Sequence, residues 1–468
     1  MEPPAFDRTA LHSKAAASFE ELALALLDRF EPRPRQERAE PFTTRHTMET
    51  IHAISSPPVA AYVDFANKLT GWWYYRDGTD YALTGDNYRA LRELVERIRR
   101  KSPFTNGFSD HFLEEAVTTW CAAKHKCEDA GPFVAFLLDH CAEAWSTHDF
   151  LLPLVGVEVE HDFTLGAVRV RTIPPELFER AAAEARARRP DDPDAGKSAD
   201  ALGETAANLA AVAVRVTGEP RFADSQAREI ADDIAGVLRF MSPGAISSTV
   251  PSLVQPWGIK TVPQTLVMKL DGERLAGYSR QWLHGGLAMW KLGAPEIERL
   301  TATNFASLAI FFDGTALNDY AAHVRPAFFA FARAIGQFEP VDRLVGAITA
   351  LECLLLRDQN EPLQQMVGER LAFLTASGRE DRQRTVADYK AAYGLRSRAV
   401  HHLRGMDNEQ VADRLFRHAF LAFVRAIEGL SVLTTHVQFL DGLDRIKFGG
   451  RYRDNDDDRP ATEPAGRP

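Results

Sequence analysis

Arg396, Ser397, Arg398, His401 and His402 crowd into residues 393–403, YGLRSRAVHHL. Histidine titrates near neutral pH and can take or give a proton. Arginine stays charged and offers phosphoryl oxygens a fixed fork of donors. These residue types suit cleavage of RNA without a metal. One group removes the 2′-OH proton, a second protonates the leaving 5′-oxygen, and a cation stabilises the charge gathering on the phosphoryl oxygens. Ser397 can hydrogen-bond a phosphate or orient a neighbour. Spacing restricts how this could work. Arg396 and His401 are five residues apart, about 140° around one ideal helix. A single regular helix therefore does not aim both at one small target. Either the helix is irregular near Gly394, or two copies meet across a two-fold axis and each supplies its motif to a shared cleft. Arg398 and His402 are four apart and share a face. The same residue types also serve as plain structure, because Arg and His near a helix end stabilise its free carbonyls.

Other constellations are weaker. Cys121, His125, Cys127, His140 and Cys141 lie close together, but not as the paired C-x2-C of a structural zinc site. They read as core and core-edge residues, so neither a metal nor a cofactor is expected. Glu158 and Glu160 share one face of an expected strand, which reads as a solvated face. The chain has no G-x-x-x-x-G-K-[ST] phosphate loop, no G-x-G-x-x-G after a strand and no H-E-x-x-H.

The elements that would carry the Arg–His cluster belong to a helical region over 339–450. Apolar residues at helical spacing mark helices over 341–356 and 366–374. Thr385-x-x-Asp388 has the form of a capping box that opens the motif helix. Asn408 can cap the next helix, whose positions 411, 415, 419, 423, 427 and 430 form one apolar stripe. Helices of this kind with short connections make a bundle.

Upstream, residues 1–45 form an extension with one short helix over 19–30 and a linker, EPRPRQERAEP. Residues 46–150 read as mostly helical, with helices over 59–69, 87–100, 111–125 and 131–144. The aromatic run Trp72 to Tyr75 is either core or, if exposed, a surface for stacking bases. Residues 151–338 read as an α+β region. It contains alternating strands at Val155–Val159 and Val168–Val170, a helix over 176–188, and an exposed loop RPDDPDAGKSADALGE. A strand over 209–216 and helices over 227–240 and 323–335 follow, while 306–312 fits either strand or helix. The fold class is therefore α+β overall, with an all-α C-terminal bundle. Residues 451–468 are polar, Pro-rich and acidic and read as a disordered tail.

The chain has 468 residues, 45% apolar and 26% charged, with net charge −10. That charge excludes a protein whose whole surface coats nucleic acid, but not a local phosphate site. Residues 342–447 carry 15 Lys/Arg against 14 Asp/Glu, so the acidity lies elsewhere. No apolar run reaches the roughly 18 residues of a membrane span, and no secretion signal opens the chain. Four cysteines in so long a chain suit a reducing, cytoplasmic setting.

The segment 388–402 resembles the Apea-like branch of the HEPN superfamily, whose motif helix has the form Tyr-x-x-Arg-Ser-x-(apolar)-Val-His-Gly. Tyr393, Arg396, Ser397, Ala399, Val400 and His401 stand at the matching places, and His402 replaces the usual Gly. The segments 347–356 and 368–377 are similar to the family's first helices. The resemblance spans 340–450 and is specific only in the motif. It implies an all-helical, often homodimeric domain, paired through this bundle, with Arg396 and His401 as catalytic residues of a metal-independent endoribonuclease. Tyr393, Ser397, Arg398, His402 and Glu352 would support them or bind RNA. Such proteins act in bacterial antiphage defence and toxin–antitoxin systems, and the long N-terminal region would then sense or regulate. Some members are non-catalytic modules that bind RNA, nucleotide or protein, and this is the competing expectation.

Overall fold

The periodic apolar text folds into helices and short strands, and the computed structural model is an α+β protein. It describes residues 6–33, 59–64, 68–126, 130–258, 264–271, 274–282, 290–302, 305–358, 360–402 and 408–449. For 264–271, 274–282, 299–302 and 399–402 it describes the backbone alone. The expected tail and most of the expected linker lie outside these residues. The chain divides into two compact units, Met1–Phe150 with Arg215–Ala227, and Leu151–Val214 with Arg228–Pro468.

In the first unit, α1 (Ser13–Leu27) is followed by strands β1 (Glu31–Arg33), β2 (Ala60–Val63), β3 (Leu69–Arg76) and β4 (Thr79–Thr84). Helices α2 (Gly85–Arg99), α3 (Asp110–His125) and α4 (Phe133–Ala144) come next. The strands form one sheet in the order β1-β4-β3-β2. This corrects the helical reading of 59–69, of which 65–67 lie outside the described residues, while the expected helices over 87–100, 111–125 and 131–144 are α2, α3 and α4. The aromatic run is β-forming, and Asp77–Gly78, with φ of 48° and 84°, makes the left-handed turn that closes a hairpin. Strand alternation divides the run: Trp72 and Tyr74 are buried, whereas Tyr75 is exposed. The N-terminal helix is part of this core through Phe19, Ala23 and Leu26. The first residues of the expected linker are β1, paired with β4. Ser109 caps α3 through the Phe112 N–H.

The second unit begins in β5 (Ser146–Val155) and continues through β6 (Val157–Val159), β7 (Phe163–Leu165) and β8 (Val168–Thr172). Helices α5 (Glu176–Arg188) and α6 (Lys197–Ala206), strand β9 (Ala210–Gly218) and helix α7 (Pro220–Met241) follow. Next come β10 (Gln255–Pro256), the antiparallel hairpin of β11 (Gln264–Asp271) with β12 (Arg274–Trp282), β13 (Trp290–Leu292) and α8 (Ala294–Ala302). The main sheet runs β10-β5-β9-β8-β7, with Val170 opposite Val212 in the β8–β9 register. One expectation fails here: the segment expected to be an exposed loop folds part of its length into α6. The apolar run at 306–312, left open between strand and helix, is helical, of the 3₁₀ type over Phe305–Phe311.

Six helices complete this unit: α9 (Asp319–Ile335), α10 (Pro340–Leu355), α11 (Leu363–Thr375), α12 (Arg379–His402), α13 (Glu409–Gly429) and α14 (His436–Lys447). The expected α13 stripe is buried throughout, from Val411 to Leu430, and Asn408 caps that helix through the Val411 N–H. Phe331 stacks on Phe423 at 5.1 Å between ring centroids, and Phe240 on Phe420 at 4.9 Å. The capping box at Thr385 is absent. Thr385 sits inside α12 with its hydroxyl on the Asp381 carbonyl, and Asp388 turns to α13 instead. Helix α14 went unread in the sequence. Its His436 is buried, donates from Nε2 to the Leu354 carbonyl at 2.8 Å and stacks on His323.

Arg343, on α10, is fully buried yet pairs with no carboxylate among the described residues. Its guanidinium donates to five carbonyls: Ser248 and Gly244 at 3.0 Å each, Gln337 at 3.3 Å, Ile335 and Ser247. Phe416 lies under it at 5.0 Å. Burial pulls its pKa down to about 10, still well above neutrality. Replacing Arg343 with Met should therefore destabilise this unit by about 3 kcal/mol or more, because several buried carbonyls lose their donors at once. Urea unfolding of the full chain measures the loss.

Candidate active site

The C-terminal bundle positions the predicted residues on α10 and α12. Helix α12 is one uninterrupted α-helix of 24 residues through Gly394 to His402. Arg396 and His401 thus stand on a single regular rod, about 140° apart around its axis and about 7.5 Å along it. Only the backbone of His401 and His402 is described. Glu352 comes from the last turns of α10 and faces Arg396, with Oε1 3.8 Å from Nη1. That separation is too long for a hydrogen bond. Tyr393 lies under the Arg396 guanidinium at 5.4 Å, and Tyr389, one turn back, has its ring centroid 6.2 Å from that of Tyr393. Tyr389 is fully buried against α11, where a Cβ on Gly368 would lie 3.2 Å from its ring.

Among the described residues three buried polar atoms in this cluster have no hydrogen-bond partner: Glu352 Oε1, Tyr389 OH and Arg396 Nε. Buried polar atoms are ordinarily satisfied, so three on neighbouring side chains make this cluster a candidate site. Burial pushes the Glu352 carboxyl above its usual range, and the Arg396 cation only partly opposes this. The Tyr389 hydroxyl is likewise pushed up, chiefly by burial and then by the Glu352 charge. Arg396 keeps 29% of its side chain exposed.

The structure thus brings together Glu352, Tyr393 and Arg396 of the residues picked from the sequence. Ser397 and Arg398 are exposed and lie about 100° and 200° around α12 from Arg396. Arg398 folds back over Gly394. Tyr389 escaped the sequence reading, although its position seven residues before Arg396 places it two turns back on the same face.

A second ionic cluster was also missed, because Asp388 was taken for a capping residue. Its carboxylate, 10% exposed, accepts from Arg414 Nε at 2.7 Å and lies 3.4 Å from His418 Nε2. Burial lowers the His418 pKa, and Asp388 partly offsets this.

No family model, curated protein or solved structure matches this chain. Among the described residues no group of three or more His, Cys, Asp or Glu could hold a metal ion. The cysteine–histidine segment is dispersed instead. Cys121 and Cys141 are buried in the first unit, the Tyr74 hydroxyl bonds His125, and His140 stacks on Phe112 and Phe136. Cys127 lies outside the described residues. Among the described residues no helix is long and apolar enough to cross a membrane.

Two measurements check the cluster. Tyr389→Phe should leave the unfolding free energy unchanged or raise it, against a loss of about 1 kcal/mol for an ordinary bonded hydroxyl, because its buried OH has no partner to lose among the described residues. Glu352, with a folded pKa above its usual 4.5, contributes stability that is present below that value. This contribution is lost as pH rises through the folded value. The stability of wild type relative to Glu352→Gln should therefore fall as pH rises above about 4.5 and then level off. Urea titrations across that range read the difference, and a flat difference contradicts the assignment.

Proposed function

We propose that this chain is a metal-independent endoribonuclease of the HEPN type, acting as a homodimer through its C-terminal bundle. The observation that carries the reading is the state of Arg396. It is an arginine part-exposed on a regular helix, backed by Tyr393 and by a carboxylate that it does not hydrogen-bond. A phosphoryl group would satisfy that guanidinium better than Glu352 does. The unbroken course of α12 favours two copies over a distorted helix, since one copy sets Arg396 and His401 on different sides of the rod.

In this reading His401 of one copy takes the 2′-OH proton, and O2′ attacks phosphorus. His401 of the other copy protonates the departing 5′-oxygen. The two Arg396 side chains stabilise the phosphoryl charge. The products are a 2′,3′-cyclic phosphate and a 5′-hydroxyl. Tyr393 supports the guanidinium, Glu352 restrains it at rest, and Ser397, Arg398 and His402 serve RNA contact. The residues of this cluster come from the C-terminal bundle, and we assign the N-terminal region the regulatory part in antiphage defence or stress.

A second reading draws on the proximity of Glu352 to Arg396. If that ion pair is the resting purpose of the arginine, the bundle is a non-catalytic module that binds RNA, nucleotide or protein. The decisive experiment incubates wild type, Arg396→Ala and His401→Ala with RNA in EDTA. Cleavage ending in cyclic phosphate, reduced at least about 100-fold in both variants, supports the enzyme. Cleavage that persists in His401→Ala removes it, and RNA binding without cleavage by wild type supports the module.

A further inference from the structure

Arg414 is anchored in a way that its surface neighbours are not. Asp388, buried on α12, engages only the Nε edge of the guanidinium. The terminal nitrogens of Arg414 hydrogen-bond none of the described residues, on a side chain 41% exposed. A guanidinium fixed at Nε presents its remaining donors in a set direction, and ordering it again on binding costs little side-chain entropy. Arg417, one turn along α13, is exposed and has no ion pair or hydrogen bond among the described residues. His418 completes the cluster on the other side of Asp388. The nearby acid Asp413 is occupied elsewhere, accepting from Ser248 N at 2.7 Å and Ser248 Oγ at 2.8 Å.

The surrounding hairpin is locally basic. Residues 379–429 carry 10 Lys/Arg against 7 Asp/Glu in a chain of net charge −10, so an anionic polymer meets its favourable field here. Asp388 precedes Arg396 by eight residues on the same helix, a rise of about 12 Å, which a few nucleotides of a single strand can cover.

We propose that Arg414, braced by Asp388, forms with Arg417 and His418 a second phosphate-binding site, which takes the backbone of an RNA strand leading along the α12–α13 hairpin to Arg396. This rests on the RNA reading above and adds to it where the strand is held. Contacts of this kind set affinity without reading sequence.

The test measures binding of a labelled single-stranded RNA of about 12 nucleotides across a range of KCl concentrations. It uses the His401→Ala background, so that cleavage does not interfere. Arg417→Glu and Arg414→Gln should each weaken binding about tenfold and reduce the magnitude of the salt slope by about one. Arg417 has no partner to lose among the described residues, so its variant should melt with the parent and keeps the test valid if Arg414→Gln unfolds. Equal dependence on Arg417 for DNA of the same sequence also supports a site that reads phosphate. Affinity and slope unchanged in Arg417→Glu overturn the proposal. Binding that responds to Arg417 in a protein that cleaves nothing keeps this site and removes the nuclease. Cleavage by wild type with binding indifferent to Arg414 and Arg417 does the reverse.

Discussion

The second unit is held by a buried charge with which no carboxylate among the described residues pairs directly. Arg343 gathers carbonyls from the end of α9 and from the 244–248 turn, and its own helix α10 carries Glu352. A buried cation is tolerable there because carbonyl dipoles, including those at the C-terminal end of α9, point at it. Asp413 on α13 reaches the same turn through Ser248. Four pieces of backbone, α9, the turn, α10 and α13, thus meet around one guanidinium.

Buried ionisable groups in this bundle are bonded to different degrees. Arg343 uses all three guanidinium nitrogens. Arg370 holds both Glu361 oxygens at 2.8 Å and the Leu355 carbonyl at 2.7 Å, while its Nε has no hydrogen-bond partner among the described residues. Around Arg396, Glu352 Oε1, Tyr389 OH and Arg396 Nε are likewise unbonded among the described residues. Fully bonded polar groups specify a structure, whereas unbonded ones cost stability. The Arg396 cluster gathers three such atoms on neighbouring side chains.

Much of this was legible in the sequence. The α13 stripe and its Asn408 cap follow directly from spacing, as do α10, α11 and the β8–β9 region. The failures have physical causes. The segment over 59–69 has mixed periodicity, and only its pairing with the β3–β4 hairpin decides for strand. Thr385 and Asp388 have the spacing of a cap, but tertiary contact claimed Asp388 for Arg414, and the helix simply ran through. Tyr389 could have been found from its two-turn offset to Arg396. That its hydroxyl is buried without a partner depends on α10 and α11, which no local pattern reports.

The unbroken course of α12 has a consequence for how this chain can vary. Between Asp388 and Arg396 the helix is a ruler. Adding or removing one residue there would turn Arg396 by about 100° and shift it by about 1.5 Å, while Asp388 stayed on Arg414. Helix propensity and apolar content would hardly change, yet the guanidinium would leave both Glu352 and Tyr393. The exposed positions of this stretch can vary in residue type, but its length cannot drift.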